Sequence, residues 1–458
     1  MPAHPIDFEI QAGLYATPEL AAIFDEKRRF NRWLQIEAAL AEAQGELGLI
    51  PAPAAAAIAA HASLEKIDLA FVAAAYGGSR NSLVPLLQGL QKVCGPEHGG
   101  YVHFGITTQD VLDTAGVLEQ QETLGVIGRD LKRLEELLCD LARTHRATPM
   151  IGRTHGQQAM PITFGLKVST WAAEVHRHRE RLAALKPKAA VLQLGGAVGT
   201  MAALGPRALE VAERTAARLG LATLYPAWHT TRDIVGETAA FYGLVGSTLE
   251  KIGSEIVQLA KTEIGEVAET APGRAPSSST MPHKNNPVDS QRIAVLARHA
   301  RALVPVVLEA MVHEHERDPR ALWSEWLAVP QLAIYTGTAL HLLVTVLENL
   351  EIRTGRMREN LYRQKDLVVS EWLLFTMARA KGKSWARKKV ETLLATASAR
   401  QPPLQEILRQ DPETGPLIAK EKLECFEKPE LYCGLATAIV DRTLQDIAPG
   451  QRNEPENQ

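Results

Sequence analysis

The chain has 458 residues, of which 46% are apolar and 22% charged, with a net charge of −3; the length allows about three domains. No basic run points to nucleic acid, and no uninterrupted apolar run reaches about 18 residues, so no membrane partner is expected. The opening Met1-Pro2-Ala3-His4-Pro5-Ile6-Asp7 lacks the positive start and apolar stretch of a signal peptide.

In chain order, Thr17-Pro18-Glu19 reads as a helix start: a capping hydroxyl, proline in the first turn, then an acid. The segment Gly77–Leu86 carries the polar pair Arg80 and Asn81. Thr107-Thr108 precedes a long apolar stripe, Leu124, Ile127, Leu131, Leu134, Leu138 and Leu141, at helical spacings of three and four. A second stripe joins Leu249, Ile252, Ile256 and Leu259, and the small residues Gly243, Gly246 and Gly253 allow close helix approach there. A Gly/Pro/Ser-rich stretch, Ala271–Ser279, interrupts the helical pattern and leads into Thr280-Met281-Pro282-His283-Lys284-Asn285-Asn286. Further breaks fall near Gly355 and at Gln401-Pro402-Pro403, and the polar tail from Gly450 reads as disordered. No run of period-two alternation is long enough to argue for a sheet. The expectation is an all-α protein: an N-terminal helical domain 1–109, a central long-helix bundle 110–355 with a mobile loop at about 270–290, and a C-terminal helical domain 356–458.

The four cysteines, Cys94, Cys139, Cys425 and Cys433, have no metal-ligand spacing and read as reduced thiols of a cytoplasmic protein. In His313-Glu314-His315-Glu316-Arg317-Asp318 the two histidines are only two apart, so on a helix they share no face, and zinc is rejected. No metal and no cofactor is expected.

The 278–286 loop suits proton abstraction beside a carboxylate. Removing that proton places a second negative charge on the carboxylate, which the site must stabilise as it develops. Lys284 brings a positive charge, Asn286 an amide donor, and Ser278 a hydroxyl that becomes a base only where its neighbours lower its pKa.

Three segments resemble the signatures of the fumarase/aspartase superfamily. Ser278-Ser279-Thr280-Met281-Pro282-His283-Lys284-Asn285-Asn286 matches every fixed position of SSxMPxKxN. His103 to Thr114 resembles HxGxTSxDxxDT, and Gly152 to Pro161 resembles GRTHxxxAxP. The resemblance covers nearly the whole chain. It implies a homotetramer whose central bundle forms the tetramer core, with composite active sites assembled from three subunits. It makes Ser278 the base, Lys284 the charge that stabilises the aci-carboxylate, and His155 the candidate general acid. It makes Arg80, Asn81, Thr107, Thr108, Thr154, Gln157, Ser279, Met281, Asn286 and Arg317 substrate-binding residues for a small di- or tricarboxylate. His103 is expected to position the first loop. Arg317 has a second reading, as part of a solvated charged turn.

The branch within the superfamily is mixed. Gly77–Leu86, Leu192–Thr200, Trp228–Asp233 and Leu322–Trp326 look like 3-carboxy-cis,cis-muconate cycloisomerase, whereas Arg317 lies in a segment resembling the HERD of adenylosuccinate lyases. Seven residues after Lys284, where these lyases usually place a glutamate, stands Gln291. A glutamine can hold one imidazole tautomer but cannot stabilise an imidazolium by charge. The expected function is a lyase that eliminates a C–N or C–O bond of a succinyl-type substrate and releases fumarate or a similar diacid. A cycloisomerase is the alternative.

Overall fold

The computed structural model describes residues 4–8, 10–270, 280–281, 283–364, 366–400, 403–418 and 423–447. Ser278, Ser279 and the rest of 271–279 in the expected mobile loop lie outside the described residues, as does the expected disordered tail. Most of the described chain is helical, as the apolar spacings predict. Thr17 caps the helix Pro18–Ile23, its hydroxyl accepting from the Leu20 N–H at 3.3 Å. Both apolar stripes are buried in long helices, Thr108–Thr144 and Asp233–Leu259, with Leu124, Ile127, Leu131, Leu134, Ile252 and Ile256 at 0% exposure. A Cβ at Gly243 would lie 2.8 Å from Val304, so that glycine does permit a close helix contact.

The chain forms two compact units, Met1–Lys132 with Arg177–Lys251 and Arg292–Leu342, and Arg133–His176 with Ile252–Gln291 and Leu343–Gln458. The core of the first unit is built around Leu34, Leu40, Ile58, Leu83, Leu86 and Leu90. That of the second gathers Ile151, Leu361, Leu373, Met377 and Phe426. The helix Pro319–Glu348 is long and apolar enough to cross a membrane by length and composition alone, but 61% of its most apolar window is buried, and a core helix passes the same test.

The second unit also contains short strands that the sequence reading did not anticipate. Pro149–Thr154 and Gln157–Thr163 form an antiparallel hairpin, and Val267–Glu269 pairs with Leu350–Ile352. The hairpin interrupts its own register between Ile151 and Arg153. Gly152 stands at that irregularity, which explains why no clean alternation marks these strands. Its turn is the pair His155-Gly156, both with positive φ (53° and 75°), the geometry that a two-residue hairpin turn requires.

The first unit is tied together by a buried charge cluster. Arg232 donates to both oxygens of Asp113, at 2.8 and 3.1 Å, and to both oxygens of Glu325. Its guanidinium lies 4.8 Å from the Trp228 ring centre. All three charged residues are at most 5% exposed. Burial pushes the Glu325 carboxyl above its ordinary pKa, and Arg232 only partly pulls it back. Removing the cation would strand two buried carboxylates. Arg232→Met is therefore expected to cost about 3–5 kcal/mol of unfolding free energy in urea denaturation; a loss below about 1 kcal/mol would show that the cluster is not a structural centre.

Candidate active site

In the first unit the chemistry begins at the N-terminus of the helix Thr108–Thr144. Thr107 occupies the cap position. Its backbone N–H is taken by the Asp110 carboxylate at 3.0 Å, three residues on, and its carbonyl accepts the Asp110 N–H at 3.0 Å, while its hydroxyl accepts from Arg317. Asp110 is 2% exposed and accepts three more bonds: from the Gly195 N–H (2.9 Å), the Gly196 N–H (3.0 Å) and His229 Nε2 (2.8 Å). One carboxylate thus locks the threonine loop to the 195–197 turn. A Cβ at Gly195 would meet the His229 ring at 2.6 Å, so this packing needs glycine.

Arg317 closes the same cluster from the other side. It donates to Thr107 Oγ1 (3.0 Å) and to the carbonyls of Gly196 (3.3 Å) and Ala197 (2.9 Å). Its Nε is buried without a partner, and no carboxylate among the described residues pairs with it. Arg317 is half-buried, and it brings to Thr107 a cation with no carboxylate partner among the described residues. Asn81 Oδ1 accepts from the N–H groups of Leu83 and Val84, which turns Nδ2 toward Thr108 Oγ1 at 3.1 Å. Each threonine oxygen thus accepts from a group that can only donate. Each hydroxyl keeps its own proton to offer, so two O–H donors stand side by side next to a guanidinium. Arg80 is exposed beside them.

His103, with φ of 62°, holds the approach to this loop. Its Nδ1 lies 2.6 Å from Glu37 Oε1, and its N–H donates to Glu37 Oε2 at 3.0 Å. Burial disfavours the charged ring, but the Glu37 bond and the charges of Glu37 and Asp110 win and raise its pKa.

In the second unit the hairpin tip presents Thr154, His155 and Gln157, all exposed and without side-chain hydrogen bonds among the described residues. Arg153 of the same signature points elsewhere. It grips Glu266, which is 0% exposed, with two bonds, Nη1 at 2.9 Å and Nη2 at 2.6 Å, and Asn360 Nδ2 adds a third at 2.8 Å. This anchor holds the base of the hairpin while its tip stays free. Lys284, Met281 and Asn286 are described, Lys284 being exposed with its N–H on the Met281 carbonyl at 3.0 Å. Glu269 fixes the end of this segment. Its carboxylate accepts the N–H groups of Asp289 and Ser290 and the Ser290 hydroxyl, at 2.8–2.9 Å, capping the helix Val288–Glu309. Its carbonyl accepts from Asn285 Nδ2 at 2.8 Å. Gln291 is exposed on that helix.

The sequence reading passed over Glu37, Glu266, Glu269 and Asn360. Each is an ordinary residue far in sequence from the group it holds, and only the fold brings them together. Asp110 and His229 lay inside quoted segments, but their pairing beside the threonine loop had no sequence signal.

A family model described as a lyase matches residues 14–301. The chain is 37% identical to N-acetyl-S-(2-succino)cysteine lyase of Enterococcus italicus over 97% of both chains. It is 39% identical to 3-carboxy-cis,cis-muconate cycloisomerase of Pseudomonas aeruginosa, over 93% of this chain and 94% of that one. To adenylosuccinate lyase of Methanocaldococcus jannaschii it is 36% identical, over 98% of this chain and 96% of that one. The crystal structure of 3-carboxy-cis,cis-muconate lactonizing enzyme from Pseudomonas putida matches with a TM-score of 0.89 and 36% identity, covering 95% of this chain and 98% of that chain. The chain belongs to this lyase family, within the fumarase/aspartase superfamily, and is an enzyme.

The His103–Glu37 clasp gives a signed pH test. A histidine whose folded pKa is raised contributes its full stability below its ordinary value of 6.5 and loses it as pH rises through the folded value. Histidines with lowered values, such as His178 at about 4, act only below 6.5. Stability is therefore expected to fall as pH rises above 6.5, and Glu37→Gln should remove that fall. An identical pH dependence in denaturation of the variant and the wild type would refute the clasp.

Proposed function

We propose that this enzyme eliminates a heteroatom group from a succinyl-type substrate and releases fumarate or a similar diacid. The observation that carries the reading is the paired hydroxyl donors of Thr107 and Thr108 beside the uncompensated Arg317. This arrangement suits a carboxylate, and it gains strength as that carboxylate becomes doubly negative. Ser278 removes the proton alpha to the carboxylate, and the C–H electron pair enters the aci-carboxylate, which Lys284 and Asn286 stabilise. The carboxylate then reforms, the carbon–carbon double bond is made, and the bond to the heteroatom breaks with its electron pair leaving on the heteroatom.

Gln291 bears on which heteroatom leaves. An amine leaves well only with a proton from a strong general acid. A thiolate is a stable anion, since an ordinary thiol has a pKa of about 8.5. With glutamine in place of the usual acid, His155 gains no charge partner there. That favours a leaving group that departs as an anion, and it agrees with the relative named for an S-succinyl substrate. C–S elimination thus joins the C–N and C–O cases, ahead of them. Lactonisation of a carboxymuconate is the second reading, supported by the cycloisomerase relative and the lactonizing-enzyme structure. Fumarate release from a panel of S-, N- and O-succinyl compounds, set against lactonisation of carboxymuconate, separates the two.

The reading includes a homotetramer with shared sites, in a cytoplasmic protein whose four cysteines form no disulfide. Leu244, Val295, Leu308, Trp323 and Leu327 are exposed apolar residues on the long helices of the first unit, and Val312 in the turn between two of them is 78% exposed. This apolar surface suits burial against other copies. The exposed polar tip at His155 suits a site completed by a neighbour.

Two outcomes follow. Ser278→Ala should lose at least about a thousandfold in turnover with its helical circular dichroism intact, and mixing it with inactive Lys284→Ala after subunit exchange should restore activity only if the two lie in different signatures' subunits. Because both residues share one loop, that pair should not complement, whereas Ser278→Ala with a hairpin variant, Thr154→Ala/His155→Ala, should. Failure of the second mixture to recover activity would refute shared sites. For His155→Gln, a stable-anion leaving group predicts a drop in kcat smaller than about tenfold; a loss of a hundredfold or more would make His155 an obligatory acid and point to an amine.

A further inference from the structure

The first unit contains an open groove of about 630 Å³ that begins at Ser79, Arg80 and Asn81 and runs along the helix Thr108–Thr144 past Leu112 and Gly116 to Glu119. It is far larger than a four-carbon diacid requires. Its start is continuous with the threonine pair, because Asn81 lines it and also donates to Thr108. One wall is an aromatic run. Phe30 stacks against Tyr76 with ring centres 6.2 Å apart and an interplanar angle of 15°, and it touches Trp33 at 5.0 Å. Trp326 lines the groove as well.

Four charged residues line the groove, Glu26, Arg29, Arg80 and Glu119, and Glu26 is exposed with no cation paired to it among the described residues. Arg29 is neutralised by Glu119 through two bonds of 2.8 Å. Arg80, at the end nearest the threonines, has no carboxylate partner among the described residues. The groove therefore offers one uncompensated cation at its start and an aromatic body beyond it, where the only other lining cation among the described residues, Arg29, is already paired and the Glu26 carboxylate disfavours further negative charge.

We propose that this groove is the leaving-group subsite, taking a carboxylate-bearing leaving group with an apolar body, its carboxylate on Arg80 and its body along Phe30, Tyr76 and Trp326. This rests on the lyase reading above, in which the succinyl half occupies the threonine donors. An arginine is suited to a carboxylate because it can donate two parallel bonds. Aromatic walls hold an apolar body by removing its surface from water. A nucleotide would place further anionic oxygens along the aromatic stretch, where no free cation meets them.

The test compares three succinyl thioethers, made from 2-mercapto-3-phenylpropanoate, from 2-phenylethanethiol (no carboxylate) and from mercaptoacetate (no apolar body), with fumarate as the readout. The first is expected to exceed each of the others by at least about tenfold in kcat/KM. Arg80→Gln should erase the advantage over the phenylethanethiol adduct and leave that over the mercaptoacetate adduct. Trp326→Ala should do the reverse, with Trp326→Phe keeping both. Equal kcat/KM for all three, or variants that lower all three alike, would overturn the subsite while leaving the lyase reading intact. Fumarate from none of the three, with fumarate from N- or O-succinyl compounds, would overturn the subsite as drawn for a thiol; fumarate from no succinyl compound would overturn the lyase reading and the subsite with it.

Discussion

A buried carboxylate that accepts several backbone N–H groups is the constraint on which the arrangement depends. Long helices make a rigid frame, but they do not by themselves orient the loops at their ends. Asp110 does so in the first unit, with four donors on its two oxygens. Glu269 does so in the second, with three donors at the start of the helix Val288–Glu309. Both sit where free N–H groups at a helix N-terminus favour negative charge. Each carboxylate is costly to bury, and the N–H groups offset that cost only in one geometry. That requirement converts a loop into a fixed set of donors.

The same device separates residues left with donors to offer from residues that hold others in place. In the second signature, Arg153 is committed to Glu266, so Thr154, His155 and Gln157 are left free at the tip. In the first, Asp110 takes the Thr107 N–H, and Arg317 and Asn81 use up lone pairs on the two threonines while leaving their protons. The available donors are thus those whose structural duties have been taken over by neighbours. Preorganised donors of this sort act on charge as it develops and need no rearrangement at that moment.

Much of this was legible before any coordinates. Helical spacing located the stripes of Leu124–Leu138 and Leu249–Leu259, because a 3.6-residue period survives in long elements. Thr107-Thr108 was readable both as a cap and as donors, and the structure has Thr107 at the cap with its hydroxyl unused by it. The hairpin at 149–163 was not legible. Its strands are six and seven residues long, with a break in register and a proline, so no alternation accumulates. Nor were Glu37, Glu266 and Glu269, whose partners lie 66, 113 and 20 residues away. A single sequence gives no signal for a carboxylate that is specified only by the fold around it.

The central claim is that the site stabilises an aci-carboxylate. The most direct measurement is the affinity for 3-nitropropanoate, whose nitronate carries two negative oxygens where the aci-carboxylate would. A site complementary to that species should bind the nitronate at least about a hundredfold more tightly than succinate, with the gain lost in Lys284→Ala. Nitronate binding no tighter than succinate would contradict the account.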